Sequence, residues 1–320
     1  MVVGSNPTNW NLARNYFDSH WLWRICSSLS KIYLSEYVIL IDLHTHSNAS
    51  DGTDTPTELV KNAHAAGITT LAITDHDTTS GWREAISALP TGMNLVLGSE
   101  ISCQTEDGIS VHMLGLLFDE SNQALREELA KTRENRVTRM GRMVARLNEA
   151  GIEITLEEVL AQLSDGATLG RPHLAVALIA RGTMKTRDEV FTALLHNKSK
   201  YYVSHYSPTP VNAIKLIKSA GGVAVIAHAY ASHRGRIITA EMFSDLVNAG
   251  LDGIEVDHRD HSETERASLL RIAYEYDLAI TGASDYHGNG KLNQLGENST
   301  RPEQWEKLEA RADQRRVVRI

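Results

Sequence analysis

Cysteine is nearly missing from this chain. The two it has, Cys26 and Cys103, lie far apart. That excludes a disulfide framework and zinc-finger spacing, and it points to a reducing, cytoplasmic setting. Long apolar runs are missing too: no segment approaches the ~20 uninterrupted apolar residues of a membrane span. Positive charge is in short supply, with 32 Lys and Arg against 40 Asp and Glu, a formal net charge of −8. Such a balance argues against a chain that grips long nucleic acid through many phosphates. It leaves room for a small phosphorylated ligand held by a few local charges. In bulk the chain is ordinary: 320 residues and 42% hydrophobic content make one large domain or two smaller ones.

Residues 1–36 differ in composition from the rest of the chain. Three of the five tryptophans, Trp10, Trp21 and Trp23, fall there. Arg24 and Lys31 interrupt HWLWRICSSLSKIYL and rule out a secretory apolar region. The segment reads as a poorly anchored N-terminal extension, of the kind a misassigned start codon produces. An amphipathic helix lying on the domain or on a membrane surface is the other reading.

From residue 37 the pattern is regular. YVILIDLH reads as a strand. TPTELVKNAHAAG reads as a helix with Thr55 as N-cap, Pro56 in its first turn, Glu58 closing a capping box and Gly67 at its end. TTLAITDHD, NLVLGSE and GISVHMLGLLF read as further strands, the last two joined as a hairpin, with a short helix, GWREAISAL, before them. Residues 120–210 read as a helical insertion: a long basic amphipathic pattern from Asn122 to Gly151, then ITLEEVLAQL, RPHLAVALIARG and TRDEVFTALLHN, until a strand-like YYVSH. Strand–helix alternation then resumes through VAVIAHA, LDGIEVDH and LAITGASDYH. PEQWEKLEARADQ closes the chain as a helix within a C-terminal segment, residues 301–320. Seven strands alternating mostly with helices predict an α/β parallel barrel, residues 37–119 and 211–300, with its site at the carboxyl ends of the strands.

The unusual residues fall at those ends. His44 and His46 are two apart and so share one face of a strand. Asp51 follows on the loop. The second strand ends in Asp75-His76-Asp77, the third in Glu100, and the fourth carries His112. VAVIAH ends at His228, and ITGASDYH supplies Asp285 and His287, again two apart. A lone histidine in an apolar strand is usually a core residue. Six histidines and three acids at one end of successive strands are a ligand set for two or three ions. Mixed imidazole–carboxylate sites suit Zn, Fe or Mn.

DLHTHSNASDG, TDHDT, GSE, VHMLG, RPHLA, VIAH and GASDYH together resemble the PHP (polymerase and histidinol phosphatase) metallophosphoesterases, over about residues 38–300. The insertion is similar to that of the branch that includes nucleoside 3′,5′-bisphosphate phosphatases and a related 5′-to-3′ exoribonuclease. The resemblance implies a distorted seven-stranded (β/α), TIM-like barrel with a trinuclear site. It implies one ion on His44, His46, Glu100 and Asp285, a second on Glu100, His112 and His228, and a third on Asp51, His76 and His287. Mn²⁺ leads as the ion, with Fe²⁺ and Zn²⁺ as alternatives. Asp42 and Asp75 are expected to orient ligand histidines. Two stretches depart from the family: Ala229-Tyr230 stand where HPG is common, and Val256-Asp257-His258-Arg259-Asp260-His261 where VYHPSH is common. Both bear on substrate identity.

Ions ~3.5–4 Å apart can activate one water and neutralise phosphoryl charge. The expected reaction is hydrolysis of the 3′-phosphate of a nucleoside 3′,5′-bisphosphate. A 5′–3′ exoribonuclease on short 5′-phosphorylated RNA, a histidinol-phosphatase-like enzyme and a non-catalytic metal-binding module are the alternatives. An amidohydrolase would need a bridging lysine where Glu100 stands. Asp77, His205 and His258 are candidates for protonating the leaving oxygen. Arg171, His173, Lys198 and Lys200 are candidates for holding a second phosphate. Arg133, Arg136 and Arg139, at helical spacing, read as a solvated basic face.

Overall fold

A computed structural model describes residues 39–313 and 317–320. The expected N-terminal extension, residues 1–36, lies outside them. The strands β1 (Ile41–Asp42), β2 (Thr70–Ile73), β3 (Asn94–Gln104), β4 (Ser110–Leu116), β5 (Val223–Ala227), β6 (Gly253–Asp257) and β7 (Ala279–Gly282) follow one another in space as in sequence. β1, β2 and β3 pair in parallel, and so do β5, β6 and β7. β4 runs antiparallel to both β3 and β5. The amide of His46 donates to the carbonyl of Tyr286 at 2.8 Å, which brings β1 back to β7 and nearly closes the ring. This is the distorted seven-stranded (β/α) barrel expected from the sequence. The β3–β4 hairpin is the distortion, since it puts one reversed strand into a parallel ring. A short β8 (Val318–Arg319) pairs with β3 outside the ring.

Helices α1 (Pro56–Ala65) and α2 (Trp82–Ser87) follow β1 and β2. Thr55 and Glu58 form the capping box that starts α1: the Glu58 amide reaches Thr55 Oγ1 at 3.1 Å, and the Thr55 amide reaches Glu58 Oε2 at 2.8 Å. Four helices make up the insertion: α3 (Gln123–Glu149), α4 (Leu156–Leu160), α5 (Arg171–Ala180) and α6 (Arg187–Val190), the last continuing as a π-helical turn over Phe191–Leu195. α7 (Pro210–Ser219), α8 (Met242–Asn248), α9 (Glu263–Glu275) and α10 (Pro302–Glu309) complete the set. YYVSH is not a strand. Its buried Tyr201 and Val203, two apart, mimic strand alternation, but they pack into the insertion's own core.

Alternation along the strands sorts the core into two layers. Leu71 and Ile73 of β2 face the outer helices with Leu59, Leu95, Ile214 and Leu269. Ala72, between them, faces the barrel interior with Ile41, Val96, Leu114 and Val225, where Trp305 and Leu308 of α10 also pack. Met140, Leu147, Leu174, Leu178 and Leu195 form a third cluster inside the insertion. Each fully buried Leu or Ile contributes roughly 1.5–3 kcal/mol. Among the described residues no helix is long and apolar enough to cross a membrane.

Candidate metal centre

β1 stops two residues before His44, yet the chain stays pinned. The Thr74 amide donates to the Thr45 carbonyl at 2.9 Å, so His44 and His46 still point into one site. The loop then folds back tightly. A β-carbon at Gly52 would lie 2.5 Å from the His46 carbonyl oxygen, so only glycine lets Asp51 return to the cluster. At the other strand ends, His228 (φ 29°) and Asp285 (φ 53°) sit in the left-handed region. Non-glycine residues held there cost of order 1–3 kcal/mol each, and such strain gathers at functional sites.

Glu100 is the hub. Its Oε2 lies 3.2 Å from His44 Nε2, 3.1 Å from His46 Nε2 and 3.1 Å from His76 Nδ1. Its Oε1 lies 2.7 Å from His112 Nδ1 and 3.1 Å from His228 Nε2. Asp285 Oδ1 approaches His46 Nε2 at 3.5 Å, and Asp51 Oδ1 approaches His287 Nε2 at 3.2 Å. The atoms sort into three groups: His44, His46, Glu100 and Asp285; His46, Asp51, His76 and His287; and His76, Glu100 and His112. All nine residues expected from sequence thus come together. His228 joins through Glu100.

The donor set fits cations. Asp51 Oδ1, His76 Nδ1, Glu100 Oε2, His112 Nδ1 and His287 Nε2 are buried and crowd one another at these distances, yet none is aligned for a hydrogen bond. Tautomers agree. His44 Nδ1 faces Glu255 Oε1 at 3.1 Å and His287 Nδ1 faces the Asp285 carbonyl at 2.8 Å, which leaves each Nε2 lone pair aimed inward. Burial alone would raise the Glu100 carboxyl, but His76, His112 and His44 hold it well below the ordinary range. Asp51 is likewise held low, against its burial, by His287 and His76. Burial pushes His228 down to about 3 and His287 down to about 4, so both stay neutral and free to ligate.

The supporting layer differs from expectation at Asp42. Asp42 accepts from the Ser284 and Gly296 amides at 3.0 Å each, and burial pushes it up to about 6. Asp75 accepts from Ser47 and Ser50 hydroxyls at 2.7 Å. Asp42 fixes loops and touches no imidazole, whereas Asp75 reaches one through Ser50, whose hydroxyl donates to it and lies 3.4 Å from His46 Nδ1. Glu255, which sequence reasoning missed, takes the orienting role: it holds His44 and also accepts from the His228 amide at 2.7 Å. Its signal was an acid flanked by Ile254 and Val256 inside an apolar strand. Arg234 and Lys291 were also missed. They hold Asp285 Oδ2 at 3.0 and 2.8 Å.

A cavity of about 1000 Å³ opens beside Asp51, His76 and His112. Of the proton-donor candidates only His205 lines it. Its Nδ1 lies 3.1 Å from Arg139 Nη1, and burial beside Arg136 and Arg139 pushes it down to about 2. It is therefore a neutral imidazole that presents Nε2–H. Asp77 is fully buried, paired with Arg136 at 2.9 Å and bonded to Ser102, so it does not serve as an acid in the cavity. His258 is fully buried behind Asp285. Of the phosphate candidates Arg171 lines the cavity. His173 does not: its Nδ1 accepts from the Gly170 amide at 3.0 Å and caps α5. Lys198 and Lys200 are exposed and outside the cavity wall, because the turn that carries them faces solvent. Arg136 and Arg139 are not a solvated face. They are 7% and 6% exposed and point from α3 into the cavity.

Residues 42–162 match the family described as the PHP domain. The chain is 34% identical over 277 residues to the 3′,5′-nucleoside bisphosphate phosphatase of Chromobacterium violaceum, covering 85% of this chain and 97% of that protein. It is 36% identical over 262 residues to a 5′-3′ exoribonuclease of Haemophilus influenzae, covering 80% and 93%. Among solved structures, a candidate metal-dependent phosphoesterase of Bifidobacterium adolescentis matches with a TM-score of 0.81 at 43% identity, covering 86% of this chain and 97% of that one.

Proposed function

Because this chain belongs to the PHP-domain family of metal-dependent phosphoesterases, hydrolases of phosphoric ester bonds, we propose that it removes the 3′-phosphate from nucleoside 3′,5′-bisphosphates. One observation carries the choice of substrate. The cavity has the ligand cluster on its barrel wall and unneutralised cations on its insertion wall. Arg139 Nε is buried without a partner. Burial, with Arg136 and Arg171 beside it, lowers its affinity for its proton. Arg171 is fixed by Leu195 O at 2.6 Å and Asn197 Oδ1 at 2.7 Å, and neither is an anion. A phosphate beyond the scissile one supplies the missing charge, bidentately to guanidinium. His205 Nε2–H is a further donor to it. A substrate with one phosphate leaves this wall unsatisfied.

His44, His46, Glu100 and Asp285 would hold one divalent ion, Glu100, His112 and His228 a second, and Asp51, His76 and His287 a third. Mn²⁺ suits these imidazoles and carboxylates, with Fe²⁺ and Zn²⁺ as alternatives. Bound ions supply Lewis acidity toward phosphoryl oxygens and lower the pKa of water to near 7. The chain's own part is placement. Glu255 fixes the His44 tautomer. Arg234 and Lys291 keep Asp285 ionised and aimed. The insertion wall orients the substrate so that its 3′ ester faces the ligand cluster. The net charge of −8 keeps the partner small.

The size of the cavity favours a second reading. About 1000 Å³ is at the top of the range for small-molecule sites. That fits a short 5′-phosphorylated RNA, which offers the same phosphate to the same wall. The test is a side-by-side assay of the manganese-loaded protein on adenosine 3′,5′-bisphosphate, histidinol phosphate and a short 5′-phosphorylated RNA. The bisphosphate is expected to give the highest kcat/KM. Preference for histidinol phosphate would overturn the nucleotide assignment.

A further inference from the structure

Arg187 opens α6, and its backbone is fixed. The Glu189 amide donates to Thr186 Oγ1 at 3.2 Å, and Glu189 Oε2 accepts from the Lys185 amide at 2.9 Å. Its side chain is half-buried and lines the cavity. Among the described residues its guanidinium makes no hydrogen bond and no ion pair. Burial lowers its proton affinity, and only the fields of Asp51 and Asp188 offset this. The tip lies against the loop after the ligand His287. A β-carbon at Gly290 would stand 2.5 Å from Arg187 Nη1, so the missing side chain there is what admits the guanidinium. A desolvated cation without a counter-ion is costly. The cost is recovered when a ligand brings the anion.

We propose that Arg187 is a catalytic residue whose guanidinium binds a non-bridging oxygen of the phosphoryl group being hydrolysed. Its tip lies at Gly290, three residues past His287, and Asp51 is one of the two acids whose fields act on it, so it stands on the side of the cavity where His46, Asp51, His76 and His287 converge. In the reaction a water oxygen bonds to phosphorus and the ester P–O bond breaks. The electron pair of that bond leaves on the alcohol oxygen, which takes up the proton that the attacking water gives up, and inorganic phosphate remains. Arg187 transfers no proton. It offers parallel N–H donors to charge that the ligand-holding residues do not reach from the opposite side. This role rests on phosphoester hydrolysis at the centre and not on the bisphosphate substrate.

Arg187→Ala, Arg187→Lys and the parent are compared, all manganese-loaded, on p-nitrophenyl phosphate and on adenosine 3′,5′-bisphosphate. Loss of one preorganised donor to a developing oxyanion costs about 10²–10³ in kcat. A fall of that order is expected on both substrates, with metal content and melting temperature unchanged. Calorimetry with inorganic phosphate is expected to show binding weakened at least about tenfold, as for one lost charged hydrogen bond. Added guanidinium ion is expected to restore part of the Arg187→Ala rate but not the rate of a folded-state casualty. The proposal is overturned if both substrates keep their rates. It is also overturned if only the bisphosphate rate falls, which would place Arg187 on the second phosphate, or if the variant loses metal. The nitrophenyl arm keeps the test valid should the bisphosphate prove a poor substrate.

Discussion

Asp77 and Arg136 form a buried ion pair across the junction of barrel and insertion. Arg136 Nε lies 2.9 Å from Asp77 Oδ2, and the same guanidinium reaches Ser102 Oγ at 2.6 Å and Leu169 O at 3.3 Å. Asp77 follows His76 of the candidate metal cluster and holds φ 53°, and Ser102 lies two residues past Glu100. The pair therefore braces two strand ends of the candidate metal cluster against α3. Removing one partner of a buried pair costs about 3–5 kcal/mol, because the other charge is left unpaired. Arg136→Ala is expected to lower unfolding free energy by about that amount in denaturant titration. Metal affinity should fall with it. A change within about 0.5 kcal/mol, the range of ordinary surface substitutions, would show that the pair is not a brace.

This pair also marks where the sequence stops being legible. The clustering of the histidines could be read because strand geometry is local: residues two apart share a face. The capping box at Thr55 could be read for the same reason. Asp77 and Arg136 are 59 residues apart, and nothing nearby announces their contact. A basic stripe on a helix looks the same whether it meets solvent or a cavity, so Arg136 and Arg139 passed for a solvated face. Lys198 and Lys200 erred the other way. Their charge was visible, but the turn that aims them outward was not. Arg187 depends on a glycine in a loop more than a hundred residues later, a relation only the fold supplies.

Chelation is expected to abolish hydrolysis, and Mn²⁺ to restore it. Binding to the native state alone stabilises by about 4 kcal/mol at a thousand times Kd, so the melting temperature should fall with the metal. His46→Ala and Asp285→Ala should be equally inactive. Their stabilities should differ, because loss of Asp285 also strips Lys291 and Arg234 of a buried carboxylate. Equal melting temperatures would mean that those contacts carry no net energy.

His205 gives a pH test with a definite sign. Its native value is about 2, lowered by burial and the neighbouring Arg136 and Arg139, while an unfolded histidine titrates near ~6.5. Between those values the unfolded chain binds a proton that the native chain refuses. Stability therefore falls as pH drops below about 6.5. His205→Asn should flatten that slope by up to about 1.4 kcal/mol per pH unit. In kinetics the imidazole stays neutral across the working range, so the variant should lose rate on the bisphosphate without moving the acidic limb of kcat/KM. A shifted limb would make His205 a titrating acid after all.

Arg171 tests how the substrate is anchored. Its Nη1 is occupied by Leu195 O and Asn197 Oδ1, while Phe191 and Tyr202 flank the guanidinium with ring centroids 5.7 and 5.4 Å away. That leaves a rigid cation whose remaining donors face the cavity. A hydrogen bond to a charged group is worth about 1.5–3 kcal/mol, so Arg171→Ala should cut kcat/KM on adenosine 3′,5′-bisphosphate by roughly ten- to a hundred-fold or more. p-Nitrophenyl phosphate, which lacks the second phosphate, should be hydrolysed almost as before. Asn197 links this grip to the metal side, since its Nδ2 donates to the Arg234 carbonyl at 3.0 Å, and Arg234 in turn holds Asp285. Asn197→Ala should therefore reproduce part of the Arg171 defect, and the double variant should lose less than the product of the two single losses. Independent, multiplying losses would separate the two residues. An equal fall on both substrates in Arg171→Ala would move that residue from the second phosphate to the reacting centre or the fold.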